Sequence, residues 1–158
     1  GKPIGYYVEN KDRRKELNRA DGPGNFHLKP NGVFYGTGDS WNVRAADDFY
    51  SNVGDRPEFG TQSGPMLVIG GELHLEIAQD GPSKAIRNGV GVRADGSIVL
   101  AITRDKVSLG SFARLFRDVA ACENALFFDG TVSSLYYSAG GIDYRRDRLG
   151  PMLVVTDR

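Results

Sequence analysis

Two pairs of apolar segments in this chain are each joined by just two residues, a link short enough to dictate a tight antiparallel hairpin. The first is Met66-Leu67-Val68-Ile69, then Gly70-Gly71, then Glu72-Leu73-His74-Leu75. The second is Val90-Gly91-Val92-Arg93-Ala94, then Asp95-Gly96, then Ser97-Ile98-Val99-Leu100-Ala101-Ile102. Its outgoing strand is nearly all apolar, which predicts a central place in a sheet, buried on both faces. The chain carries 21 glycines and 7 prolines, against about 11 glycines at ordinary usage. Many turns between short strands are expected.

One helix is legible after the second hairpin. Phe112, Leu115, Phe116 and Val119 recur at i, i+3, i+4 and i+7, a single apolar stripe, with Arg114, Arg117 and Asp118 between them. Ser108 stands where an N-cap belongs and Cys122-Glu123-Asn124 closes the pattern, so the helix is expected at about 109–121. Residues 36–56 are polar and turn-rich around Trp41 and Phe49-Tyr50, and read as a surface excursion with one edge strand. Strands and hairpins, then a helix, then more strands make an α+β protein. Its expected sheet is mixed and mostly antiparallel, with short hairpins and one main amphipathic helix. The 158 residues suffice for a single domain without disulfides or metals.

Charge narrows the partners. Twenty basic residues balance twenty acidic ones, which argues against a nucleic-acid binder that neutralises many phosphates. No run approaches the ~18 apolar residues of a membrane span, and residues 1–8 carry no signal-peptide pattern. Cys122 is alone and the two histidines lie far apart, so no metal cage or disulfide framework is expected, and no cofactor. Gly89-Val90-Gly91 lacks the third glycine of a dinucleotide fingerprint. Ser63 has no nucleophile elbow around it, and only His27 and His74 are available as bases for a triad. Oligomeric state is not written in the sequence.

Four segments combine polar side chains with glycine at expected strand ends. Ala125-Leu126-Phe127-Phe128-Asp129-Gly130 delivers a carboxylate from a buried strand into a turn whose amides can face an anion; Asp-Gly is also a common plain turn. Arg87, followed by Asn88, enters a glycine-rich strand where its guanidinium forks onto a phosphate or carboxylate, or makes a structural ion pair. Asn25, His27 and Lys29 offer donors at alternating positions of a long loop, and Ser63 precedes Gly64-Pro65.

The order of these motifs resembles the phosphodiester glycosidase domain family, whose best-known member is the uncovering enzyme that removes N-acetylglucosamine from a phosphodiester-linked mannose. The likeness is to the bacterial branch. It is carried by residues 21–34 (Asp21-Gly22-Pro23-Gly24-Asn25 onward), by Thr61-Gln62-Ser63-Gly64-Pro65, by Ile86-Arg87-Asn88-Gly89-Val90-Gly91, by Ser111-Phe112-Ala113-Arg114 and by Phe128-Asp129-Gly130 with Ser133. The resemblance implies hydrolysis of the glycosidic bond of a sugar-1-phosphodiester. Arg87 and Asp129 are then the catalytic pair, Arg87 on the phosphate and Asp129 on the sugar, as nucleophile or as base for water. Asn25, His27, Lys29, Ser63, Asn88, Gly130 and Ser133 become substrate contacts, with no metal.

A second carboxylate would be Glu72, Asp21 or a residue of the asparagine- and glycine-rich segment that family members carry upstream of the position of Gly1. That segment is expected to be missing here. Thr131 and Val132 stand where other branches have glycines. The resemblance also implies a periplasmic or secreted location. The competing expectation is a non-catalytic glycan- or phosphate-binding module of the cell envelope.

Overall fold

The Gly70-Gly71 link closes as a two-residue turn with both glycines at positive φ. The second hairpin instead closes over three residues, Ala94-Asp95-Gly96, with Gly96 N donating to Arg93 O, Arg93 N donating to Ser97 O, and Gly96 at positive φ. The computed structural model describes residues 2–130, 132–145 and 152–156, with Asp129 described for its backbone alone. The chain begins with β1 (Tyr7–Glu9), β2 (Asp12–Lys15), a 3-10 turn at Asn25–His27, β3 (Gly32–Thr37), β4 (Ser40–Ala45) and α1 (Ala46–Asn52). It continues through β5 (Phe59–Ser63), β6 (Met66–Ile69), β7 (Glu72–Leu73), β8 (Asn88–Arg93) and β9 (Ile98–Ile102). The last elements are α2 (Leu109–Arg114), β10 (Cys122–Asp129), β11 (Leu135–Tyr137) and β12 (Ile142–Tyr144).

The expected sheet proves to be two five-stranded sheets, ordered β2-β1-β5-β3-β4 and β7-β6-β10-β8-β9, with β11 and β12 as a separate hairpin. Every described strand pairing is antiparallel. Alternation along the strands builds the layers. Val33 and Tyr35 of β3 pack with Tyr6, Val8 and Phe49 of α1 on the outside of the first sheet. Phe34 points the other way and meets Met66, Val90 and Leu126 between the sheets. Ala125 and Phe127 of β10 face outward again, against Phe112 and Phe116. The order is α1, first sheet, second sheet, α2.

Three expectations change. The apolar strand β9 lies at a sheet edge, with Leu100 44% exposed; β10, paired on both sides by β6 and β8, takes the centre. A continuous apolar run states only that a strand is lipophilic, and the order of strands is decided by which others compete for its edges. The excursion over 36–56 does hold an edge strand, β4, but also α1, which its seven residues left without a readable stripe: only Ala46 and Phe49 are buried.

The single amphipathic helix over 109–121 is likewise not met in that form. Ser108 caps it as expected, its Oγ accepting from Ser111 N at 3.0 Å. After Arg114 the backbone widens into a π-helical turn at Leu115–Val119, closed by Ala120 N donating to Leu115 O. The extra residue per turn rotates the stripe. Phe112 and Phe116 stay buried while Val119 is 77% exposed.

Cys122 is buried beside Ala120, and burial pushes its thiol pKa up, partly offset by Arg93. The native protein should therefore resist an aromatic disulfide reagent that labels the thiol fully once the chain is unfolded; rapid labelling of the folded protein would contradict this burial. Among the described residues no helix is long and apolar enough to cross a membrane.

Candidate active site

The C-terminal end of β10 is where the glycine-rich segments meet. Phe127 pairs with Gly89 and Asp129 with Asn88 across the β8 ladder, with an irregularity between them. On the other flank β5 leaves the first sheet and crosses to β6 through Gly64-Pro65. Ser63, at that crossing, donates its hydroxyl to Phe128 O at 3.0 Å. Asn88 Nδ2 donates to Ser133 Oγ at 2.7 Å, and that hydroxyl donates to Ile86 O at 3.3 Å. Residues from β5, β8, β10 and the segment after β10 are thereby tied to one turn. The Asp129 carboxylate and Thr131 lie outside the described part of the structure.

Arg87 is built into the floor of this turn. Its side chain is 3% exposed, with Nε donating to Val107 O at 2.9 Å and Nη2 to Ser83 O at 3.0 Å. The guanidinium carbon stands 5.4 Å from the Phe127 ring centroid. Thr103 holds the backbone on both sides, accepting from Arg87 N and donating to Arg87 O. Nη1 faces the turn, 3.6 Å from where a side chain on Gly130 would begin. Burial draws the guanidinium pKa below its ordinary value. A side-on fork onto phosphate needs Nε and Nη2 together, and both already serve backbone carbonyls; the positive charge reaches the turn through Nη1.

Asn25 joins the same end through its backbone. A side chain on Gly64 would begin 2.7 Å from Phe26 O and 3.3 Å from Asn25 O, so the 3-10 turn lies directly on the crossing. His27 and Lys29 hold the preceding segment instead. His27 Nδ1 donates to Ala20 O at 3.2 Å. Lys29 Nζ donates to Arg19 O at 3.1 Å and pairs with Asp21 at 2.6 Å; that hydrogen bond, then the lysine charge, hold the Asp21 carboxyl below its ordinary range. Lys29, Arg19, Asn31 and Asp47 border a cleft of about 260 Å³, in which Arg19 is paired with Asp47.

Glu72 does not qualify as a second carboxylate. The turn before it lies against the far end of β10, Gly71 N donating to Glu123 O. At ~3.3 Å per residue that is roughly 20 Å from Asp129, well beyond the ~9.5 Å limit for paired carboxylates. Among the described residues no three His, Cys, Asp or Glu side chains group as for a metal.

Sequence reasoning missed the buried polar residues that brace this end. Gln62 Oε1 accepts from Tyr6 N and Asn18 N, both at 2.9 Å, and its Nε2 donates to Asn18 O at 2.7 Å and to Asn31 Oδ1. Asn31 Nδ2 donates onward to Phe26 O. His74 is equally internal: Nδ1 accepts from Glu76 N, so Nε2 carries the proton and donates to Lys29 O. The available signal was a glutamine inside a strand that alternates toward a core.

An α+β sandwich with a carboxylate-bearing strand end between two glycine turns defines the class, and comparison with known proteins gives the family. The phosphodiester glycosidase family model matches residues 1–155, and the chain belongs to that family. The uncharacterized protein YigE of Escherichia coli (strain K12) is 35% identical over 144 residues, covering 91% of this chain and 56% of its own length. The chain thus spans about half the length of the curated relative it matches. In fold it is similar to the catalytic domain of zebrafish N-acetylglucosamine-1-phosphodiester alpha-N-acetylglucosaminidase, auto-inhibited by its pro-peptide. The TM-score is 0.50 over 80% of this chain and 45% of that one, at 16% identity.

Proposed function

We propose that this chain hydrolyses the glycosidic bond of a sugar-1-phosphodiester at the end of β10. The observation that carries the reading is the meeting of Ser63, Asn88, Ser133 and the buried Arg87 around the Asp129-Gly130 turn, in a member of this family. Water adds to the anomeric carbon, the bond from that carbon to the phosphate oxygen breaks, and its electron pair leaves with a phosphate monoester. Such a leaving group is a weak base and departs as an anion with little need of a proton. The enzyme's task is then to steady that anion and the positive charge growing on the anomeric carbon.

Arg87 serves the first need as a fixed charge beneath the turn, acting through Nη1, and Gly130 lets the phosphate approach the backbone. Asp129 serves the second, as nucleophile or as base for water. Ser63, Asn88 and Ser133 hold the sugar side, and Asn25, His27 and Lys29 form the outer approach. The same reading makes the chain a single domain of the family, working in the periplasm or outside the cell.

The test is incubation with the methyl phosphodiester of N-acetylglucosamine-1-phosphate and with its glucose counterpart. Free sugar and methyl phosphate should appear in equal amounts, and Ser133→Ala should lower turnover about tenfold, the equivalent of one neutral hydrogen bond. Substrate recovered intact from both incubations would overturn the reading. Intact but bound substrate would favour the envelope-binding module instead.

A further inference from the structure

At the opposite end of the sandwich the β3–β4 turn of the first sheet faces the β8–β9 turn of the second. Thr37, Ser40, Trp41, Asn42 and Asp95 line an open cleft of about 550 Å³ between them. Along β8 and into its turn this is about 20 Å from Asn88, so the cleft is separate from the turn at Asp129. Trp41 is half-buried. It sits over Gly36, where a side chain would begin 2.6 Å from its Cε3, and stacks on Phe34 at 5.4 Å and 22°. The indole is thus a rigid apolar plate held at the rim.

Around it stand polar groups that the fold does not use. Within the described residues the indole N–H of Trp41, the amide of Asn42 and the hydroxyl of Ser40 make no hydrogen bond to protein, and no buried polar atom is left orphaned, so these groups face water. Thr37 Oγ1 accepts from Glu58 N, and Asp95 Oδ1 from Ser97 N. Among the described residues no lysine or arginine lines the cleft, while Asp39 and Asp95 do.

A fixed aromatic plate ringed by amide, hydroxyl and carboxylate groups matches the alternating apolar faces and equatorial hydroxyls of a sugar ring. The Asp95 carboxylate repels phosphate. We infer that this cleft is a second carbohydrate site that takes an uncharged glycan segment, remote from the turn at Asp129. The inference does not rest on the proposed hydrolysis.

Trp41 is the sole tryptophan of the chain, so tryptophan fluorescence reports on this cleft alone. Titration of the whole chain with N-acetylglucosamine, glucose and their linear trimers should give a saturable change for at least one of them, with a dissociation constant on the order of 1 mM. Ligand-observed saturation-transfer NMR provides a second reading. Asn42→Ala, which leaves the core untouched, should weaken binding roughly tenfold, and should leave cleavage of the small methyl phosphodiesters unchanged. Asp129→Asn should bind the same sugar as wild type does, which separates this site from the catalytic reading. Silence in both measurements up to about 50 mM sugar, unaltered binding by Asn42→Ala, or a response to inorganic phosphate in place of sugar would overturn the inference.

Discussion

Asp129→Asn is expected to lower kcat for a sugar-1-phosphodiester by about a thousandfold, corresponding to roughly 4 kcal/mol of transition-state stabilisation. The amide keeps the size of the carboxylate but can neither attack the anomeric carbon nor take a proton from water. The leaving phosphate needs little protonation, so the loss falls on the sugar side, and KM should move by no more than a few-fold. Steady-state kinetics with the methyl phosphodiester, paired with a thermal melt, separates this from unfolding. Asp129 closes a strand that is paired on both sides, and the variant should melt within a degree or two of wild type. Turnover within a few-fold of wild type would remove Asp129 from the chemistry.

Gln62→Leu is expected to cost about 4 kcal/mol of stability, the largest effect anticipated for a residue that does not touch substrate. The side chain joins Tyr6, Asn18 and Asn31 from three separate segments. Leucine fills the space and leaves two backbone N–H groups, one carbonyl and the Asn31 amide oxygen without that partner. A fall in melting temperature of about 10 °C should follow, and a fall of under about 1 kcal/mol would show that water replaces the network.

Gln62→Glu gives a sharper control. Its carboxylate still accepts from Tyr6 and Asn18 but meets the Asn18 carbonyl and Asn31 oxygen as a like pole, which favours the protonated form and raises the folded-state pKa. Stability lost at neutral pH should then return as pH falls below the carboxyl's folded pKa, and be fullest below its unfolded value near 4.3. Loss of stability on acidification relative to wild type would contradict the arrangement of donors around this residue.

The parts of the fold that were legible are those set by neighbours in sequence. The Gly70-Gly71 turn closes where two residues leave no other geometry, and the hairpin at Asp95-Gly96 forms where expected although its loop also takes in Ala94. Ser108 caps α2 through its own third neighbour, and the run before Asp129 is the strand it promised to be. The order of glycine-rich motifs pointed to the family that the comparisons establish. What failed needed partners distant in sequence. The apolar composition of β9 could not tell an edge from a centre, because β10 took the central place by pairing with both β6 and β8. The stripe at Leu115 and Val119 was rotated off the core by one π-helical turn.

The site divides along the same line. That Asp129 ends a strand in a glycine turn follows from its local residues, since strand propensity and turn chemistry act over a few positions. That Ser63, some sixty-five residues away, donates to Phe128 O follows from a chain crossing between two sheets, which no local pattern encodes. Arg87 shows the difference most plainly. Its sequence context offers a guanidinium to any anion, and only the tertiary structure binds its Nε and Nη2 to the carbonyls of Val107 and Ser83 and turns Nη1 toward Gly130. A buried charge must find its partners in whatever backbone surrounds it, and that backbone is assembled by packing.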